Sequence, residues 1–60
     1  MDYSERFYLT SEHPSSKYGL PVLVDRETGK AFGRGDLVFI EGRAVAAVDI
    51  YQELEAAQAD

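Results

Sequence analysis

Two short apolar runs, residues 20–24 and residues 37–40, dominate the hydrophobic pattern of this chain. Short runs rich in β-branched and aromatic residues and bounded by turn residues are typical of strands. We therefore predict strands at residues 22–24 and 37–40, and the other elements must pack on them. The run at 37–40 is apolar at every position. Because alternate strand residues point to opposite faces, we expect both faces of this strand to be covered.

Turn residues on either side of these runs predict two hairpins. Residues 25–30 read Asp-Arg-Glu-Thr-Gly-Lys, and Gly29 is free to adopt the positive φ that a hairpin loop needs before a short strand at 30–32. The glycines of residues 33–36 turn the chain again. Glu41-Gly42 then predicts a two-residue turn into a strand at residues 43–48.

The N-terminal third of the chain predicts a strand followed by a polar loop. Residues 3–9 alternate in the manner of a half-buried edge strand. Residues 10–17 are polar, and Pro14 disfavours helix at His13. Loops of this kind often carry contact residues in small domains, so we expect contact residues here.

A capping-box spacing predicts where the C-terminal helix begins. Asp49 offers a side-chain acceptor, and Gln52 follows three residues later. We therefore predict a helix from Asp49 to about Gln58, with an apolar stripe through residues 50, 51, 54 and 57 or 58. The alternative is a helix that begins at Ala44.

These elements predict an α+β fold: a small antiparallel β-meander of four to five short strands, as an open sheet or an SH3-like barrel, with one C-terminal α-helix. Sixty residues suggest a single small domain, residues 1–60. With no Cys and one His, a disulfide or a Cys/His zinc site cannot reinforce it. One helix can cover only one sheet face, so we expect a homodimer or an obligate protein partner.

The negative charge of the chain argues against some classes of binding partner. The net charge is −5, and residues 44–60 carry four acidic and no basic side chains. Such a surface repels phosphate backbones and anionic lipids, which argues against nucleic-acid and membrane binding. The N-terminus has no basic segment followed by an apolar run, so we expect a soluble, unprocessed, cytoplasmic protein.

Candidate chemistry is sparse in this sequence. The carboxylates at residues 25, 27, 36 and 41 all fall in predicted turns, where solvated acids are ordinary, and their spacing is not that of a calcium loop. His13 lies near three serines, but a flexible loop does not hold a base in place. Arg34-Gly35-Asp36 matches the tripeptide of integrin-binding proteins, yet it also makes a plain turn. We expect no catalytic, cofactor, metal or small-molecule site.

We therefore expect a small non-enzymatic protein-binding module that acts as a homodimer, a small subunit or a regulator. The alternatives are a nucleic-acid-associated domain, which would use Arg6, Lys17, Tyr8 and Tyr18, and an acidic nucleic-acid mimic, which would use Glu53, Glu55 and Asp60. The predicted partner-binding residues are His13, Lys17, Tyr18, Tyr8, Glu53 and Glu55.

Overall fold

The computed structural model describes residues 2–58, which form two small antiparallel sheets and one helix. The first sheet has the order β1 (Phe7–Thr10), β2 (Val22–Asp25), β3 (Ala31–Phe32). The second sheet is a hairpin of β4 (Leu37–Ile40) and β5 (Arg43–Ala46), and α1 (Ala47–Ala57) follows it directly. The predicted α+β fold with a C-terminal helix is confirmed. Over residues 2–58 the strands stay open and form no closed barrel.

The first strand is shorter than the sequence predicted. Tyr3–Glu5 form a 3-10 helix, and β1 starts only at Phe7. The Asp2 carboxylate explains the difference, because it accepts hydrogen bonds from the Ser4 amide at 3.0 Å and the Ser4 hydroxyl at 2.7 Å. An acidic side chain at this position caps a helical turn, which outweighs the weak alternation of residues 3–6.

The predicted turn at Glu41-Gly42 is confirmed and determines the β4–β5 hairpin. Both residues have positive φ, 53° for Glu41 and 77° for Gly42, as a two-residue type I′ turn requires. Leu37 consequently pairs with Ala46, and Phe39 pairs with Ala44. Directly opposite residues of an antiparallel pair lie on the same face of the sheet.

The predicted helix start was wrong, as was its alternative. Helix α1 begins at Ala47, not at Asp49 or Ala44, and strand β5 ends at Ala46. Ala46 is the N-cap and makes no side-chain cap bond. The Ala47 amide instead donates a hydrogen bond to the Asp36 carbonyl at 2.9 Å, just beyond the end of the β4–β5 ladder. This backbone hydrogen bond satisfies an amide of the first helical turn that a capping side chain would otherwise bind. Asp49 lies in the first helical turn, where its charge suits the helix dipole.

The main core lies where the helix meets both sheets. Three of its residues, Ile50, Tyr51 and Leu54, belong to the predicted helical stripe, which is confirmed over those positions. The remaining buried members come from β1, β2, β4 and the helix start: Phe7, Leu23, Val38, Ile40 and Ala47.

The hydroxyl of Tyr51 joins the helix to the three-stranded sheet. It accepts a hydrogen bond from the Leu23 amide at 2.9 Å and donates one to the Phe32 carbonyl at 2.5 Å. Leu23 and Phe32 face each other across β2 and β3. A single buried hydroxyl therefore satisfies two backbone groups of different strands, and it holds the short β3 in place.

Replacing Tyr51 with Phe tests this bridge. The ring stays, but the Leu23 amide and the Phe32 carbonyl lose a buried partner, so we expect the free energy of unfolding to fall by about 1–3 kcal/mol. Urea denaturation followed by circular dichroism measures the loss. Tyr8→Phe, which removes the same hydroxyl from a half-buried ring, is the matched control. Equal midpoints for the two variants would show that the bridge contributes nothing.

Candidate functional site

An exposed apolar surface covers the outer side of the β4–β5 hairpin. It consists of Leu37, Phe39, Ala44 and Ala46, and we call it the outer hairpin face. Leu37 is 59% exposed and Phe39 is 68% exposed. Residues 2–58 thus leave this side of β4 largely open, and the prediction that both faces of β4 are covered requires a second chain or another partner.

The opposite side of the same hairpin is anchored in the core. Val38 is 2% exposed and Ile40 is 6% exposed, and Val45, which pairs with Val38, also packs against the core. The helix lies on this inner side, because Ile50 and Leu54 belong to the same cluster. The outer hairpin face is consequently a surface on regular, well-supported strands.

The outer hairpin face has no charged side chain, and its large and small side chains lie in separate rows. The two large side chains stand in one row on β4, and the two alanines stand in the neighbouring row on β5. Burial of a Leu or Phe side chain is worth about 1.5–3 kcal/mol. Single exposed apolar residues are normal on proteins, but adjacent ones on one rigid face are typical of interaction sites.

A second exposed apolar region lies between the polar loop and the turn at residues 33–36. Leu20 and Pro21 are exposed and line a shallow groove of about 310 Å³ with Lys17 and Arg34. Tyr18 next to it is almost fully exposed, at a φ of 57°. This groove differs from the outer hairpin face in having two cations, Lys17 and Arg34, in its lining.

Two of the predicted contact residues, Tyr8 and His13, line another shallow groove of about 320 Å³. The Nδ1 atom of His13 accepts a hydrogen bond from the Ser15 amide at 3.0 Å, so Nε2 carries the proton and donates to the Gly29 carbonyl at 3.2 Å. The guanidinium of Arg26 lies over the Tyr8 ring at 4.8 Å. Both side chains thus have contacts within the chain.

The acidic predicted residues lie on the helix. Glu55 forms an ion pair with Arg34, whose guanidinium lies 4.4 Å from the centre of the Tyr51 ring. Glu53 is exposed and lines a different groove, beside Tyr3. Asp60 lies outside the described residues. The six predicted residues thus do not share one groove: Tyr8 and His13 line one, Lys17 a second and Glu53 a third.

The Arg34-Gly35-Asp36 tripeptide forms a turn whose side chains are engaged within the chain. Asp36 accepts a hydrogen bond from the Gly33 amide at 2.7 Å, and its own amide donates to the Gly33 carbonyl at 3.1 Å. Arg34 pairs with Glu55. Both charged side chains therefore stabilise the turn and its contact with α1.

One carboxylate that the sequence assigned to a solvated turn is in fact buried. Asp25 is 4% exposed, and it accepts hydrogen bonds from the Glu27 amide at 2.8 Å and from Arg6 at 3.2 Å. Burial alone would raise the pKa of Asp25, but the hydrogen bond from Glu27, that from Arg6 and the Arg6 charge together lower it below its usual value. This pair ties the start of β1 to the end of β2.

Other kinds of site find no support in the part of the chain that the structure describes. Among residues 2–58, no three His, Asp or Glu side chains are grouped as a metal ion would require. The one α-helix described is too short and too polar to cross a membrane.

The apolar run at residues 37–40 is the sequence feature that indicates the outer hairpin face, although the predicted partner-binding residues did not include it. A strand that is apolar at consecutive positions presents apolar side chains on both faces, and its hairpin partner places alanines at the outer positions. Comparison of the chain with protein-family models, curated proteins and solved structures gives no match.

The lowered pKa of Asp25 predicts how stability depends on pH. A depressed pKa in the folded state contributes stability above the unfolded value, and that stability is lost as pH falls from about 4 through the folded pKa. Asp25→Asn should lower the free energy of unfolding at pH 7 by about 1–3 kcal/mol and should flatten the decline below pH 4.

Urea midpoints at neutral and acidic pH measure this effect. Glu12→Gln removes an exposed carboxylate and serves as the control with wild-type behaviour. If Asp25→Asn and wild type lost stability in parallel as the pH falls, the ion pair would not be the source of the acid sensitivity.

Proposed function

We propose that this chain is a small non-enzymatic protein-binding module that contacts protein through the outer hairpin face. The observation that carries the proposal is the exposure of Leu37 and Phe39, at 59% and 68%, on a strand whose alternate residues are buried. A rigid apolar surface with an aromatic residue and no charge has the composition of an interface core.

The architecture supports this assignment energetically. Phe39 projects from a strand held by Val38 and Ile40 in the core, so little backbone freedom remains to be lost on binding. Aromatic side chains on such supports are frequent energetic centres of interfaces.

The charged groups of the chain give less support to the alternatives. Arg6, a cation of the nucleic-acid hypothesis, is paired with Asp25, and Arg26 covers one face of Tyr8. Glu55, which belongs to the acidic-mimic hypothesis, is paired with Arg34. Both ring nitrogens of His13 are engaged, which leaves neither poised to act as a general base.

Paired substitutions on the two exposed apolar regions test the proposal. The variant Leu37→Ser with Phe39→Ser should keep its fold, since exposed substitutions change stability by only about 0.5 kcal/mol each. The matched control is Tyr18→Ser with Leu20→Ser, which alters another exposed pair of one aromatic residue and one leucine, outside the outer hairpin face.

Affinity capture with the tagged protein measures the outcome, with an untagged second copy of the chain present in the same extract. We expect wild type and control to retain a specific protein, which can be the untagged second copy of the chain. The variant Leu37→Ser with Phe39→Ser should retain at least about tenfold less of it, and a tenfold loss of affinity corresponds to about 1.4 kcal/mol of binding free energy. Loss of binding in the control but not in the hairpin variant would refute the proposal, as would capture of nothing by wild type.

A further inference from the structure

We infer that the partner on the outer hairpin face is a second copy of this chain, packed sheet on sheet about a two-fold axis parallel to the strands. This inference rests on the proposed function, because it names the occupant of the same surface. In this arrangement Phe39 packs on Ala44 of the second copy, and Leu37 packs on its Ala46.

The shape of the outer hairpin face is self-complementary. Every outer cross-strand pair combines a large and a small side chain, Leu37 with Ala46 and Phe39 with Ala44. The β4 row therefore forms a ridge and the β5 row a trough. A two-fold axis that lies in the interface and runs along the strands exchanges the two rows, so the ridge of each copy fits the trough of the other.

The same axis also determines which residues meet. Rotation about it exchanges β4 with β5 and leaves positions along the strands unchanged. Phe39 of one copy therefore lies over Ala44 of the other, because Ala44 is the residue that pairs with Phe39 within each hairpin. Packed sheets lie about 10 Å apart, a distance that one large and one small side chain fill together. An axis perpendicular to the strands would instead place ridge on ridge.

Pairing of two β4 edges is a different dimer, and the exposure pattern disfavours it. Edge pairing would extend the hairpin into a four-stranded sheet and would leave Leu37 and Phe39 of both copies open to water on one side. The exposed apolar area would then double instead of being buried. Face packing, in contrast, buries the exposed Leu37 and Phe39 side chains of both copies.

Charge is consistent with a second copy as the occupant. Each chain carries −5, so two copies repel at long range, but the outer hairpin face adds no like-charge contact because it has no charged side chain. Salt screens this repulsion. Self-association should therefore strengthen as salt rises, whereas binding of a basic partner to this acidic chain would weaken.

The area available indicates a weak dimer. A standard interface buries about 800 Å² on each partner, which is roughly a fifth of the 4290 Å² that this chain exposes. Four side chains and their surroundings supply less than that. We therefore expect a dissociation constant on the order of 10 µM.

A pair of complementary variants tests the proposed contact. Phe39→Lys and Ala44→Asp each place an unpaired charge in the homodimer, so each variant alone should be a monomer. In an equimolar mixture the introduced Lys of one copy meets the introduced Asp of the other, while the remaining contact keeps its native Phe39 and Ala44. Sedimentation equilibrium should show wild type as a dimer, each variant as a folded monomer, and the mixture as a dimer within about tenfold of wild-type affinity.

Leu20→Lys mixed with Ala44→Asp is the control, because it introduces the same charges with the Lys outside the outer hairpin face. In this mixture the Leu20→Lys copies should dimerise with each other as wild type does, because their outer hairpin faces are unaltered, whereas Ala44→Asp should stay monomeric and no mixed dimer should form. Three results would overturn the inference: a wild-type monomer at about 1 mM, dimers in both single variants, or no recovery in the Phe39→Lys and Ala44→Asp mixture. If wild type were monomeric and the hairpin serine variant still lost capture of a different protein, the proposed function would stand without the second copy.

Discussion

The buried hydroxyl of Tyr51 is the interaction on which the arrangement of this chain depends. Tyr51 belongs to α1, and its hydroxyl forms hydrogen bonds with the Leu23 amide of β2 and with the Phe32 carbonyl of β3. This hydroxyl therefore joins three elements. Arg34 covers the ring and bonds to Glu55, one helical turn further along. The helix is thereby held against the three-stranded sheet, and its apolar stripe also receives the inner side of the β4–β5 hairpin.

This arrangement leaves a surplus of apolar surface. The only α-helix among residues 2–58 has 11 residues. Its buried side chains all pack in the core that it shares with the two sheets, so the helix covers no other sheet surface. Small domains without disulfides or metal have little other means of stabilisation than packing and association. The outer hairpin face is thus a direct consequence of how few elements are available to cover the strands.

Local patterns in the sequence predicted most of the fold but little of its long-range chemistry. The turn at Glu41-Gly42 and the helical stripe depend on neighbouring residues, so sequence spacing identifies them. The helix start depends on a bond from Ala47 to Asp36, and the burial of Asp25 depends on Arg6, 19 residues away. The apolar run at residues 37–40 predicted that one sheet face lacks cover within the chain, but which side of β4 is exposed depends on where α1 packs. Contact residues were expected in the polar loop instead, because loops often carry them.

The most direct test of the outer hairpin face as a contact surface is the concentration dependence of its nuclear magnetic resonance signals. Methyl and amide shifts recorded from about 10 µM to 1 mM extend from the expected dissociation constant to well above it, so the fraction of dimer rises across the series. Our account predicts that Ala44, Ala46 and Leu37 shift together along one binding curve, while Leu20 in the loop groove stays constant. Shifts that are independent of concentration, or that centre on Leu20 and Tyr18, would contradict it.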